Sequence, residues 1–495
     1  MHKIFIAFPV SLICFITHAN EFHYENIPVG DQPSALAGAY TSIMNSSYGM
    51  HYNPASIQGI GNTLSGTINA YSYESSKYSN VFPKPTSVSW EDGDREVGYV
   101  DESLDRTSQT ILPGFLGYTT TLGDFTVGAY LATTDISYEE LDEYGTFNYK
   151  GSISIYTDDE DDDDLHIEHN EQGEVIENRD FSLDSEYKVT QFGFSSAYKL
   201  NESIDIGVTF SGIFKKKKEV TVSEIQYFQF STDTDYYFED ITQASTRLLD
   251  DEVLIEPKFG AIYHQDNYAI GFTISQKYSL SRDLQYSDKW ANGIKETSEF
   301  YFGDDEENEF DRRTARFDID TKQDYPLAIE VGANVTFDNM MLAMDIHHYN
   351  KVDSPIEFSS ASEYGSVIDI TRAFESVTNI SAAIEVEISN KTKIAFGIYT
   401  DNSNISLDAF NEQRADGVVL FRPQEDVDFI GVTFSVNHKA SNYNITTGLV
   451  MNFGDGYGTN SQLDNFGGGE IDEITSATQF KIKKEVLSLY FGVQY

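Results

Sequence analysis

Positive charge is what this chain most lacks. Its 495 residues carry 33 Lys and Arg against 80 Asp and Glu, a formal net charge of −47. That deficit excludes nucleic acid as a partner, because phosphate binding needs clustered cations, and it argues against docking on anionic lipid surfaces. Cysteine is nearly absent: Cys14 stands alone, inside an N-terminal apolar run. Long apolar runs are missing too. Beyond Ala19 no stretch reaches eighteen apolar residues, so the sequence contains no transmembrane helix. Any membrane span must then be a closed β-barrel, the other structure that satisfies its backbone in lipid. No Pro- or Ser-rich linker divides the chain into domains. Nucleophile elbows and zinc signatures are also missing, so no catalytic residue, metal ligand or cofactor is expected.

What is present fits a barrel. Residues 1–19 read as a signal peptide: Lys3, the apolar run from Ile4 to Ile16, then Thr17-His18-Ala19 as a small-residue cleavage site. Further on, dyad alternation recurs. Ile204, Ile206, Val208 and Phe210 alternate with Asp205, Gly207, Thr209 and Ser211; Leu327, Ile329, Val331 and Ala333 alternate with Ala328, Glu330, Gly332 and Asn334. One face is apolar and the other small or polar, as lipid and lumen require. A soluble sandwich with one wet face is the alternative, but such faces carry Lys, Glu and Arg where Gly, Ser and Thr dominate here.

Six tight connections, at Leu122-Gly123-Asp124, Asn201-Glu202-Ser203, Asp266-Asn267, Asp338-Asn339, Asn390-Lys391-Thr392 and Ala440-Ser441-Asn442, alternate with seven long polar ones near 74–106, 139–185, 216–252, 281–325, 351–376, 404–424 and 454–474. That spacing predicts an all-β fold, a fourteen-stranded antiparallel transmembrane barrel over residues 61–495 with both termini on the short-turn side. Leu487, Leu489, Phe491, Val493 and Tyr495 alternate up to a C-terminal aromatic, the kind of signal read by barrel-assembly machinery. The expected location is a Gram-negative outer membrane, with a monomeric barrel contacting outer-membrane lipid and lipopolysaccharide. The acidic runs 158–164 and 304–307 read as solvated, self-repelling loop surface with loose divalent ions, calcium-binding carboxylate clusters being the alternative, and His166 and His169 are placed in a mobile loop.

Residues 20–60 differ from all of this. The stretch from Val29 to Ile60 is rich in Ala, Gly and Ser, lacks alternation, and closes on Asn53-Pro54-Ala55. Too small to build its own core, it is expected as a plug inside the lumen, with Gly30, Gly38, Ala39, Asn53, Pro54 and Ala55 as its packing and gating residues. The alternative is an ordinary turn leading into the first strand.

Here the sequence resembles the FadL-type outer-membrane transporters. The resemblance rests on Ala35-Leu36-Ala37-Gly38-Ala39-Tyr40-Thr41 and on Tyr52-Asn53-Pro54-Ala55, a Gly-Ala-rich segment running into Asn-Pro-Ala; Ser56 stands where the family commonly has Gly. It implies uptake of hydrophobic compounds such as long-chain fatty acids, an N-terminal hatch, and a wall that opens near the third strand. Related barrels serve secretion or surface assembly, the alternative function.

Three groups of wall residues are candidates for that function. Lys258 and Lys277 point into the lumen by alternation, as contacts for a charged headgroup or as members of an internal ion-pair network with Glu330, Asp345, Glu385 and Glu387. Asp345 shares its lumen face with His347, read as a hydrogen-bonded wall. Pro113, which lacks an N–H, and Gly114 beside it weaken the second strand next to Gly128 of the third, giving either a sideways exit or simply the start of the membrane portion of that strand.

Overall fold

The computed structural model describes residues 23–24, 28–79, 103–110, 114–157, 166–231, 237–296, 311–319, 324–352, 374–405, 424–460 and 478–495. Strands dominate: β1 (Thr63–Ser79), β2 (Ser103–Thr110), β3 (Phe115–Leu122), β4 (Phe125–Thr157), β5 (His166–Asn201), β6 (Ile204–Ser231), β7 (Tyr237–Gln265) and β8 (Tyr268–Glu296) come first. They are followed by β9 (Asp311–Ile319), β10 (Asp324–Phe337), β11 (Met340–Tyr349), β12 (Val377–Ser389), β13 (Thr392–Asp401), β14 (Gln424–Lys439), β15 (Asn444–Asn460) and β16 (Thr478–Gln494). Each pairs antiparallel with its neighbours. The ring runs β1, β3 to β8, β10 to β16 and back to β1, fourteen positions in all. Here β2 continues the position of β3 along β1, and β9 continues that of β10 along β8. Leu64 and Tyr495 close the ring by exchanging backbone hydrogen bonds of 3.0 and 2.8 Å.

All six tight connections fall where Asn, Asp and Gly tolerate a short hairpin, with Gly123 at φ 63° and Asp338 at φ 45°. Three of the long connections are shorter than expected. β4 continues to Thr157, β5 starts at His166, β6 runs to Ser231, β7 starts at Tyr237 and β8 runs to Glu296, so much of 139–185, 216–252 and 281–325 is strand. The physical reason is that a ladder needs paired backbone and not apolar side chains. Once a hairpin leaves lipid its outward residues turn polar while its pairing goes on. His166 and His169 belong to β5, opposite Thr157 and Ile155. The acidic runs 158–164 and 304–307, and residues 1–22, lie outside the described residues.

The two wall faces are unlike. Outward stand Leu116, Phe194, Phe210, Ile270, Phe396 and Ile430, each about half exposed. Inward stand buried Thr209, Ser211, Thr273, Ser275, Thr433, Ser435 and Ser488. An apolar belt of this extent on a closed sheet is a lipid-facing surface.

Candidate functional site: the plug seat and the lumen above it

Residues 28–62 pack against the inner wall. They hold a short helix, α1 (Asp31–Ala35), and two one-turn 3-10 helices, Ser47–Met50 and Pro54–Ile57. At the entry to α1, Gly30 takes φ 103° and its missing side chain makes room for the Tyr48 ring. Gly38, at φ 81°, closes α1 by donating its N–H to Pro33 O at 2.9 Å. Ala39 behind it is fully buried. The next two N–H groups, of Tyr40 and Thr41, donate to Asp345 Oδ2 at 2.7 and 2.6 Å. Asp345 is itself fully buried on β11, with His347 Nε2 3.6 Å away.

Asn53-Pro54-Ala55 forms the second anchor. Asn53 Oδ1 accepts from Ala55 N at 3.1 Å and caps the second 3-10 helix, with Pro54 at its first position. Its Nδ2 donates to Thr41 O at 2.7 Å, tying the anchors together, and to Ala261 O on β7 at 3.3 Å. The wall accommodates this approach with glycine: a β-carbon at Gly260 would overlap Asn53 and Pro54, and one at Gly207 would overlap the Pro54–Ala55 peptide. Elsewhere Asn334 Nδ2 donates to Ser42 O at 2.8 Å, Gln32 to Gln494 at 3.0 Å and Thr209 to Met50 O at 3.0 Å.

Lys258 and Lys277 act on the same two groups, His51 of this segment and Glu256 of the wall. Lys258 Nζ donates to His51 O at 2.7 Å, and both lysines act electrostatically on the buried Glu256, which also accepts from Gln191 at 3.1 Å. Burial, and then the Lys258 charge, push the His51 imidazole down to about 3, so it sits neutral beneath the two cations. Tyr130, stacked on Phe115 with centroids 5.7 Å apart, completes an aromatic shelf and reaches Ser211 at 2.8 Å. Of the carboxylates expected to share the lumen, Glu330 is buried and accepts from Thr273 at 2.8 Å, while Glu385 pairs with Lys393 at 2.7 Å nearer the short-turn rim, where Glu387 is exposed.

Further out lies a charged network, most of it within the stretches 216–252 and 281–325 expected as loops. Arg282 binds Asp250 through two bonds of 2.8 and 2.6 Å, Tyr325 donates to Glu252 at 2.5 Å, and Lys215 and Lys217 lie 3.7 and 3.4 Å from Glu252 and Glu219. Period two through Lys215-Lys216-Lys217-Lys218 was the available signal: the odd members are buried and the even ones face out.

Gly114 lies at a break in the wall. The β3–β4 ladder ends at Phe115 opposite Ala132, with one more bond from Thr133 N to Gly114 O at 2.9 Å. Among the described residues β2 then pairs only with β1, while β4 shifts register between Thr133 and Asp135 and continues on β5. Pro113 lies outside the described residues. Gly128 sits in an unbroken ladder between Thr119 and Ser195, and its missing side chain makes room for Met50 of the plug.

No protein-family model and no curated protein matches this chain. Solved structures do. A FadL homologue of Pseudomonas aeruginosa is 11% identical over 97% of this chain and 99% of its own, with a TM-score of 0.52. The P. putida toluene transporter TodX is 12% identical over 96% and 99%, also at 0.52, and a TodX monoaromatic hydrocarbon channel lacking S2 reaches 0.54 at 12% identity over 95% and 99%. At these identities the likeness is one of fold: this chain shares the fourteen-stranded barrel of those structures.

Proposed function

We propose that this chain is an outer-membrane channel for hydrophobic compounds, which enter the lumen above the plug and leave sideways through the wall beside Gly114. The observation that carries this is the combination of a lumen filled by a segment bonded around the wall with a ladder that stops just above it. A filled lumen offers no water-wide path. An apolar solute gains nothing by entering the aqueous periplasm, whereas a gap at membrane height leads it into lipid. The solved barrels of this fold named as hydrocarbon channels and transporters support the same solute class. Above the plug, Lys258 and Lys277 would hold an anionic headgroup such as the carboxylate of a long-chain fatty acid, and the Tyr130–Phe115 shelf its chain.

Proteoliposomes test this directly. Pro113→Val gives the residue before Gly114 an N–H and should lower uptake of labelled oleate several-fold while small-solute leakage stays constant. Wild-type uptake in that variant would remove the exit from beside Gly114. Lys277→Met should weaken oleate binding but leave oleyl alcohol unaffected; equal affinities for both ligands before and after the change would take Lys277 out of the site.

A further inference from the structure

The outward face of β5, β6 and β7 changes character abruptly along its length. Low on it lie Phe194, Phe210, Phe192 and Phe214, with Phe192 and Phe214 stacked at 5.8 Å. Phe192 lies across Gly212, so these rings form one continuous apolar surface. Ten residues separate Ile204, beside the tight turn, from Phe214. At about 3.3 Å per residue and a tilt near 40° that is roughly 25 Å of height, the thickness of a barrel's apolar band. Phe214 therefore marks the rim farther from the short turns, where acyl chains give way to headgroups.

Two residues beyond it stands Lys216, and directly opposite Lys216 in the ladder stands Lys188. Both are exposed on the outer face. Like charges facing each other across a ladder are destabilising on their own. Lys216 has a carboxylate, Asp251, at 3.8 Å in an exposed pair worth little; Lys188 forms no ion pair among the described residues. Lys218 follows one step up, paired with Asp184 at 3.0 Å. In a chain of net charge −47, two lysines set side by side at the upper rim of an aromatic surface match a ligand with phosphate above and acyl chains below.

We infer that Lys188 and Lys216, with Phe192 and Phe214 beneath them, form a docking site for a phosphorylated glycolipid of the outer leaflet. The phosphate bridges the two ammonium groups and relieves their repulsion, while the acyl chains lie along the phenylalanine rings. The whole-chain charge is no obstacle, since exposed charges beyond about 8–10 Å are screened at physiological salt. This rests on the reading of the barrel as an outer-membrane protein.

The full-length protein, folded in dodecylmaltoside micelles, is titrated with bisphosphorylated lipid A, with dephosphorylated lipid A and with phosphatidylglycerol. Wild type should prefer the bisphosphorylated form, and Lys188→Ala with Lys216→Ala should bind it about tenfold more weakly. Lys199→Ala, an exposed lysine at the other end of β5, should bind as wild type does. The heat-dependent gel shift of folded barrels reports folding of each variant; should the double variant not fold, Lys188→Gln alone carries the same comparison. Unchanged affinity in the folded variants, or equal binding of dephosphorylated lipid A or phosphatidylglycerol, overturns the site. Failure of the wild type to insert into lipid A-free vesicles would instead overturn the membrane reading, so the two outcomes are separable.

Discussion

Asp345 concentrates the plug's attachment in one carboxylate. It is fully buried and accepts two plug N–H groups within 2.7 Å, and hydrogen bonds to a charged group contribute about 1.5–3 kcal/mol each. Asp345→Ala should therefore leave the barrel folded but expose residues 30–55 to protease; continued protection would mean the other anchors suffice. Gly260→Ala tests the second anchor without touching charge, because its methyl would overlap Asn53 and Pro54. It should give the same protease exposure. His51 makes docking pH-dependent. Its imidazole is held near 3 in the plug, against about 6.5 in a free chain. As pH falls below about 6.5 the undocked state takes up the proton first, so docking weakens progressively toward pH 3. Lys258, Lys277, Glu256 and Gln191 surround the ring. In His51→Gln the loss of protection between pH 7 and pH 4 should flatten, and an unchanged profile would assign it to the carboxylates instead.

Among the elements, the hairpins of β4 to β8 reach well beyond what crossing requires. β5 is 36 residues long and β6 is 28, where about ten suffice to span a bilayer. The extra length was invisible to a reading based on apolar alternation, because beyond the lipid band the side chains no longer report the pairing. Backbone bonding predicts slow amide exchange at residues 216–222, which pair with β5 and β7 on both sides; exchange within seconds would mark them as loop after all. The plug behaves as an element too. Its removal, by deleting residues 30–55, should raise small-solute leakage through the reconstituted barrel, whereas an unchanged conductance would mean the lumen is closed by something else.

For the whole molecule, ring closure is the controlling feature. β16 lies along β1 from Ser65 opposite Gln494 to Ser79 opposite Lys481, so the first and last strands of the sheet leave no free edge for another chain. A closed ladder unfolds only when many bonds break together. Boiled and unboiled samples should migrate differently on a gel, and equal migration would count against the closed ring. Negative charge is managed locally within this ring: the buried carboxylates Asp250, Glu252 and Glu219 each have a lysine or arginine within 4 Å.

The sequence by itself determined the short-range features: fourteen strands from six tight turns, the direction the side chains face within the apolar-alternating strands, and the Asn-Pro-Ala cap of a segment unfit to be a strand. These depend on periods of two and on turn chemistry, which are local. Tertiary structure alone decided the contacts between distant residues. Asp345 meets Tyr40 across 305 positions, Gly260 yields to Asn53, and Arg282 finds Asp250; alternation had aimed several of these side chains inward without naming a partner. Which inward residues meet depends on strand register and on how deep the plug sits, and both are set only when the ring closes around it.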